Sequence, residues 1–122
     1  MKKRVLSVDD SSTIRQIVKN CLEKENYDVF EAEDGLDALK KLEGVEGFDL
    51  LVVDVNMPNM DGISLVKELR KNPNYNTTPI LMLTTESDTE QKLKGAQSGA
   101  TGWIVKPFNP PEFVKIVKRM AG

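Results

Sequence analysis

Short, almost wholly apolar runs recur along this chain, separated by stretches with helical spacing. Val5-Leu6-Ser7-Val8, Leu50-Leu51-Val52-Val53, Ile80-Leu81-Met82-Leu83 and Trp103-Ile104-Val105 each read as a strand, and Asp28 to Ala32 as a further one. Runs without polar alternation need cover on both faces, as in parallel sheets flanked by helices. Between them, Ser11 or Ser12 can cap a helix with Ile14, Ile17, Val18, Cys21 and Leu22 on one face. Gly35 opens a short helix with Leu36, Leu39 and Leu42 inward. Pro58 and Gly62 break the chain ahead of a helix bearing Ile63, Leu65, Val66 and Leu69. A weaker helix is predicted over 89–98, where Leu93 and Ala96 are the strong inward groups and Gly95 sits mid-helix. Pro110 and Pro111 suit the first turn of a last helix carrying Phe113, Val114, Ile116, Val117 and Met120. Five strands alternating with five helices predict a three-layer α/β sandwich with right-handed crossovers. With 122 residues the chain is expected to form one domain over 1–122.

Composition narrows the function classes. A net charge of −2 gives no basic field for a nucleic-acid backbone, so no nucleic-acid partner is expected. One cysteine allows no intrachain disulfide and no thiolate zinc site, and Cys21 among Ile17, Val18 and Leu22 reads as a buried thiol. The absence of histidine excludes Ser-His-Asp triads, histidine metal sites and a phosphohistidine on this chain. The apolar stretch after Met1-Lys2-Lys3-Arg4 is too short for a signal peptide, and no run reaches membrane-spanning length, so a cytoplasmic protein without a membrane partner is expected.

In a sandwich of this kind, ligands gather at the carboxyl ends of the strands. Those ends are Asp9-Asp10 after the first strand, Asp54 after the third, Thr84-Thr85 after the fourth and Lys106-Pro107 after the fifth. Singly, each reads as a turn residue or a solvated charge. Together they place three carboxylates, a hydroxyl and an ammonium at one sheet edge. Two unit charges about 4 Å apart repel by about 4 kcal/mol at an effective dielectric of 20. The cluster therefore implies raised carboxyl pKa values or a bound divalent ion, and hard oxygens without His or Cys favour Mg²⁺. A carboxylate is also a nucleophile toward phosphorus. Asp54, on the central strand ahead of Asn56-Met57-Pro58, is the candidate acceptor, with Asp9 and Asp10 as metal ligands, Lys106 balancing the phosphoryl oxygens and Thr84 donating its hydroxyl to one of them.

The segments Val8-Asp9-Asp10-Ser11, Asp54-Val55-Asn56-Met57-Pro58, Met60-Asp61-Gly62, Leu83-Thr84-Thr85 and Lys106-Pro107-Phe108 resemble the receiver domain of two-component response regulators. Ala32-Glu33-Asp34-Gly35 with Ala38-Leu39 fits as well, and the resemblance runs from about Lys3 into the last helix. It is closest to the single-domain, CheY-like receivers of chemotaxis. The resemblance implies a flavodoxin-like (βα)5 fold with strand order 2-1-3-4-5. It further implies that Asp54 accepts a phosphoryl group from a histidine kinase, and that Mg²⁺ is held by Asp9, Asp10, Asp54 and the backbone carbonyl of Asn56. By the same resemblance Thr84 and Lys106 bind the phosphoryl oxygens, Lys106-Pro107 is a cis bond, and Trp103 stands at the aromatic switch position, where Tyr or Phe is usual. The implied partners are that kinase, a downstream target such as a flagellar motor switch protein, and a phosphatase, with the chain a monomer.

The helix over 89–98 is expected to move on phosphorylation, since it is the least anchored. The face with Trp103, Lys115, Lys118 and Arg119 reads equally as solvated or as a dock for a partner peptide. Other readings remain open. A stand-alone phosphorelay receiver or the excised receiver of a larger regulator carries the same motifs. A flavin carrier shares the fold, but Asp9-Asp10 beside Ser11-Ser12-Thr13 would repel a flavin phosphate. A Mg²⁺-dependent phosphohydrolase places a general acid two residues after its nucleophile, where this chain has Asn56, which does no acid–base work. A pseudo-receiver with purely structural contacts fits the complete acid set least.

Overall fold

A computed structural model describes residues 2–44, 47–85 and 99–121. The chain runs β1 (Arg4–Val8), α1 (Ser12–Glu23), β2 (Asp28–Ala32), α2 (Gly35–Gly44), β3 (Leu50–Asp54), α3 (Gly62–Lys71), β4 (Ile80–Thr85), β5 (Gly102–Lys106) and α4 (Pro110–Ala121). The helix expected over 89–98, and the motion expected of it, lie outside the described residues. All strand pairs are parallel, in the order β2-β1-β3-β4-β5. This is the order the resemblance implied, and it puts β1 and β3 side by side with their carboxyl ends level. No helix among the described residues is long and apolar enough to cross a membrane.

Alternation along each strand feeds two cores, one on each face of the sheet. Leu6, Val8, Leu51, Val53, Ile80 and Met82 pack with Ala38 and Leu42 of α2 and Ile63, Val66 and Leu69 of α3. Val5, Leu50, Val52, Leu81, Leu83 and Ile104 pack on the other face with Val18 and Leu22 of α1 and Phe113 and Val117 of α4. β3 is buried along its whole length, so its last residue, Asp54, starts from a rigid, dry support.

Helix starts follow the expected chemistry. The Ser11 hydroxyl, not that of Ser12, accepts from the Ile14 amide. Asp61 caps α3 through the Ser64 amide at 2.7 Å. Asn109 accepts from the Glu112 amide just ahead of the proline pair.

Three inward assignments are corrected. Leu36 is 47% exposed, because α2 buries Ala38 and Leu42, and two residues turn a helix by about 200°. Ile17 is 38% exposed, because Val18 and Leu22 carry a narrower stripe with Ile17 at its edge. Cys21 is half-buried rather than buried. At the sheet edge, Phe30 of β2 is 37% exposed and meets Phe48 edge-on, ring centroids 5.5 Å apart.

At the amino ends of β4 and β5, Arg70 gathers four acceptor residues from two loops. Its Nη1 donates to the carbonyls of Tyr75 at 2.9 Å and Thr78 at 2.8 Å, and its Nε to that of Gly99 at 2.9 Å. Its Nη2 reaches the Thr101 hydroxyl, which also accepts from the Ile80 amide.

Candidate functional site

At the other end of the sheet, β1 and β3 deliver Asp9 and Asp54 into the interior, 1% and 5% exposed. Asp10, one residue beyond, is exposed. One carboxylate oxygen from each of the three lies within 4.8 Å of the others. Lys106, last residue of β5, reaches back across the edge: its Nζ donates to Asp54 Oδ1 at 2.9 Å and to Asp9 Oδ2 at 3.2 Å. The other Asp9 oxygen accepts from the Ser11 amide at 2.9 Å. The Lys106-Pro107 peptide is cis.

The electrostatics are therefore more specific than three acids in repulsion. Part of the repulsion is relieved inside the fold by the Lys106 ammonium. Even so, burial pushes the Asp54 carboxyl above its ordinary range, the Lys106 hydrogen bond opposes this, and the neighbouring Asp9 and Asp10 charges add to the rise. Burial likewise raises Asp9 against the pull of the Ser11 amide and Lys106. Burial alone would lower Lys106, but its bond to Asp54 and the charges of Asp54 and Asp9 outweigh it and raise its pKa. Three carboxylates and one ammonium sum to two negative charges, the charge one divalent cation cancels. Hard oxygens, close spacing and residual charge all fit Mg²⁺ or a similar ion.

Thr84 lies one strand over, paired with Val105 in register, while Asp54 pairs with Leu83. Its side chain is buried, and among the described residues its Oγ1 has no hydrogen-bond partner. A buried hydroxyl left unpaired costs about 1–3 kcal/mol. Thr84→Val, of similar shape without the hydroxyl, is therefore expected to raise metal-free stability by about 1 kcal/mol in urea denaturation; a loss of that size would show that the hydroxyl has a partner. Asn56 is exposed in the turn directly after β3, and Trp103 is half-buried against the core shared by α2 and α3. Of the basic face, Lys118 pairs with Glu25.

Sequence reasoning passed over several supports of this site. Arg15 Nη1 donates to the Asp9 carbonyl at 2.6 Å while its Nε holds Glu31 at 3.1 Å. Asp34, buried, accepts from the Asp37 amide at 2.8 Å and from Asn59 Nδ2 at 2.7 Å. An Asp ahead of Gly35 at a helix start signals the first of these bonds, but nothing in the spacing signals the second.

The family model described as the response regulator receiver domain matches residues 5–118. The chain belongs to the response regulator receiver family. The chemotaxis protein CheY1 of Helicobacter pylori is 43% identical over 108 residues, covering 88% of this chain and 87% of that protein. The structure of the chemotaxis response regulator CheY4 of Vibrio cholerae superposes with a TM-score of 0.92 at 48% identity, covering 98% of this chain and 99% of that one. The receiver domain of sensor histidine kinase PA1611 from Pseudomonas aeruginosa PAO1, solved with a magnesium ion coordinated in its active-site cleft, superposes at 0.90 with 26% identity over 100% of this receiver chain and 99% of that one.

Proposed function

We propose that this receiver is a phosphorylation-activated signalling switch in which Asp54 accepts a phosphoryl group from a histidine kinase, in the cytoplasm, and changes affinity for a downstream target. The observation that carries the reading is the Lys106 ammonium held at 2.9 Å from Asp54; on the neighbouring strand, Thr84 keeps a buried hydroxyl that has no hydrogen-bond partner among the described residues. An Asp54 oxygen attacks phosphorus, the P–N bond of the phosphohistidine breaks, and the imidazole leaves with that electron pair. Asp9, Asp10, Asp54 and the Asn56 carbonyl would hold Mg²⁺, which when bound neutralises charge on the phosphoryl oxygens. The magnesium ion in the related PA1611 receiver supports that assignment. Lys106 exchanges carboxylate oxygens for phosphoryl oxygens. Asn56 supplies no general base, which favours a long-lived acyl phosphate and a chain that dephosphorylates itself slowly rather than a turnover enzyme.

Moving a two-state equilibrium from 1:99 to 99:1 takes about 5.5 kcal/mol. A new charge-assisted hydrogen bond from Thr84 supplies roughly 1.5–3 kcal/mol, and Lys106 contributes the difference between its phosphoryl bonds and the carboxylate bonds it gives up. Thr84 carries the larger share, because among the described residues its hydroxyl has no partner at rest. Trp103, half-buried on the strand beside Thr84, is the switch residue in this reading. With chemotaxis proteins among the relatives, the reading extends to a chemotaxis target such as a flagellar motor switch protein, with a phosphatase as a further partner and the receiver a monomer.

The test is intact mass after incubation with a small acyl phosphate, with Mg²⁺ or with a chelator. One phosphoryl adduct is expected, only with the metal. Borohydride reduction of the acyl phosphate should then mark position 54 in the peptide map. No adduct with Mg²⁺, or a mark elsewhere, overturns the assignment.

A further inference from the structure

The loop after β3 carries Asn56 and runs to Gly62, whose amide closes it on the Val55 carbonyl at 2.9 Å. Between those points it turns through Asn59, at φ 67°, a left-handed conformation that Asn tolerates. The Asn59 side chain donates to Asp34 at the start of α2, across 25 positions of sequence. Asp34 is buried, and its other oxygen caps α2 through the Asp37 amide, so it is a fixed anchor. The loop also presses on α2 next to that bond: a Cβ on Gly35 would stand 2.7 Å from Met60 Cγ and 2.9 Å from the Met60 carbonyl. The same β2–α2 segment steadies the Asp9 loop, through the Asp9 amide on the Ala32 carbonyl and through Glu31 on Arg15, which holds the Asp9 carbonyl. Residues 31–35 supply no metal ligand, yet both ligand-bearing loops are fastened to them.

We infer that Asn59 is a positioning residue for the metal centre: its bond to Asp34 sets where the Asn56 carbonyl stands relative to Asp9 and Asp54. The inference rests on the metal site of the proposed function. Outer partners that orient metal ligands typically contribute tenfold or more to metal affinity. Conformation alone is a competing role for Asn59, since Gly would serve as well at positive φ. Asn59→Gly separates the two, because it keeps the backbone, removes the bond and changes no charge.

The experiment titrates metal-free protein with Mg²⁺ by calorimetry and by Trp103 emission, for wild type, Asn59→Gly, Asp34→Ser and the double variant. Ser retains the cap of α2 and cannot bridge to Asn59. Each single variant is expected to bind Mg²⁺ about tenfold more weakly, and the double variant no more weakly than the weaker single. Thermal unfolding without metal verifies that each variant is folded. Unchanged affinity in Asn59→Gly, or losses that simply add in the double variant, overturns the inference. Wild-type protein that fails to bind Mg²⁺ overturns the proposed function itself, so the two failures are distinguishable.

Discussion

Asp54→Asn is expected to take up no phosphoryl group from an acyl phosphate in Mg²⁺, and to fold at least as stably as wild type without metal. The two halves of this result have one cause. Asp54 stands at the end of a fully buried strand, and burial disfavours its ionised form. An amide of the same shape carries no charge into that environment, and its oxygen can still accept from Lys106, which keeps its bond to Asp9 at 3.2 Å. Local charge falls from minus two to minus one, so Mg²⁺ affinity falls as well. A folded carboxyl pKa above the unfolded value means that the folded state keeps its proton to higher pH than the unfolded state does. Stability contributed at low pH is then lost on going to neutral pH. Asp54→Asn removes its share of that loss, so the variant should show a flatter decline between acid and neutral pH in thermal unfolding, with Asp9 accounting for what remains. An adduct on the Asn variant, or a steeper decline, would contradict this account.

Gly62→Ala is expected to be among the most damaging single methyl additions to this chain. A Cβ at Gly62 would lie 2.2 Å from the Asp54 carbonyl oxygen and 3.0 Å from the Val55 Cα. These are backbone atoms at the root of the acceptor, not the tips of flexible side chains. The first turn of α3 would have to lift off, breaking the Gly62 amide bond to Val55 and carrying the Asp61 cap with it. Overpacking of this kind costs about 3 kcal/mol or more. In a domain of this size that lowers the thermal midpoint by roughly 10–15 °C. Saturating Mg²⁺ should recover less of that loss than it adds to wild type, because the displaced carbonyl shifts Asp54. A midpoint within a few degrees of wild type would show that the helix start has room to spare.

Much of the layout was legible because it follows from periodicity. The strand from Asp28 to Ala32 and the end of the central strand at Asp54 were both readable from apolar runs and their breakers. The collection of Asp9, Asp10, Asp54, Thr84 and Lys106 at one edge followed, since parallel strands send their carboxyl ends the same way. The exposure of Leu36 and Ile17 was not legible, because helical spacing gives the stripe but not its width. The resting partners of Lys106 were not legible for a different reason. Motif reasoning reserved it for an incoming phosphoryl group, whereas in the resting fold its ammonium is claimed by two carboxylates. Asn59 and Asp34 were invisible as a pair, since a bond across 25 positions leaves no trace in local pattern.

The Arg70 clasp gives the molecule a fixed pivot. It ties the last turn of α3, the following loop and the approach to β5 to one guanidinium, at the end of the sheet away from the acids. Strands β4 and β5 are thus pinned where they begin, at the ends opposite Thr84 and Lys106. A phosphoryl group that draws on Thr84 or Lys106 as proposed would pull at the strand ends farthest from that guanidinium.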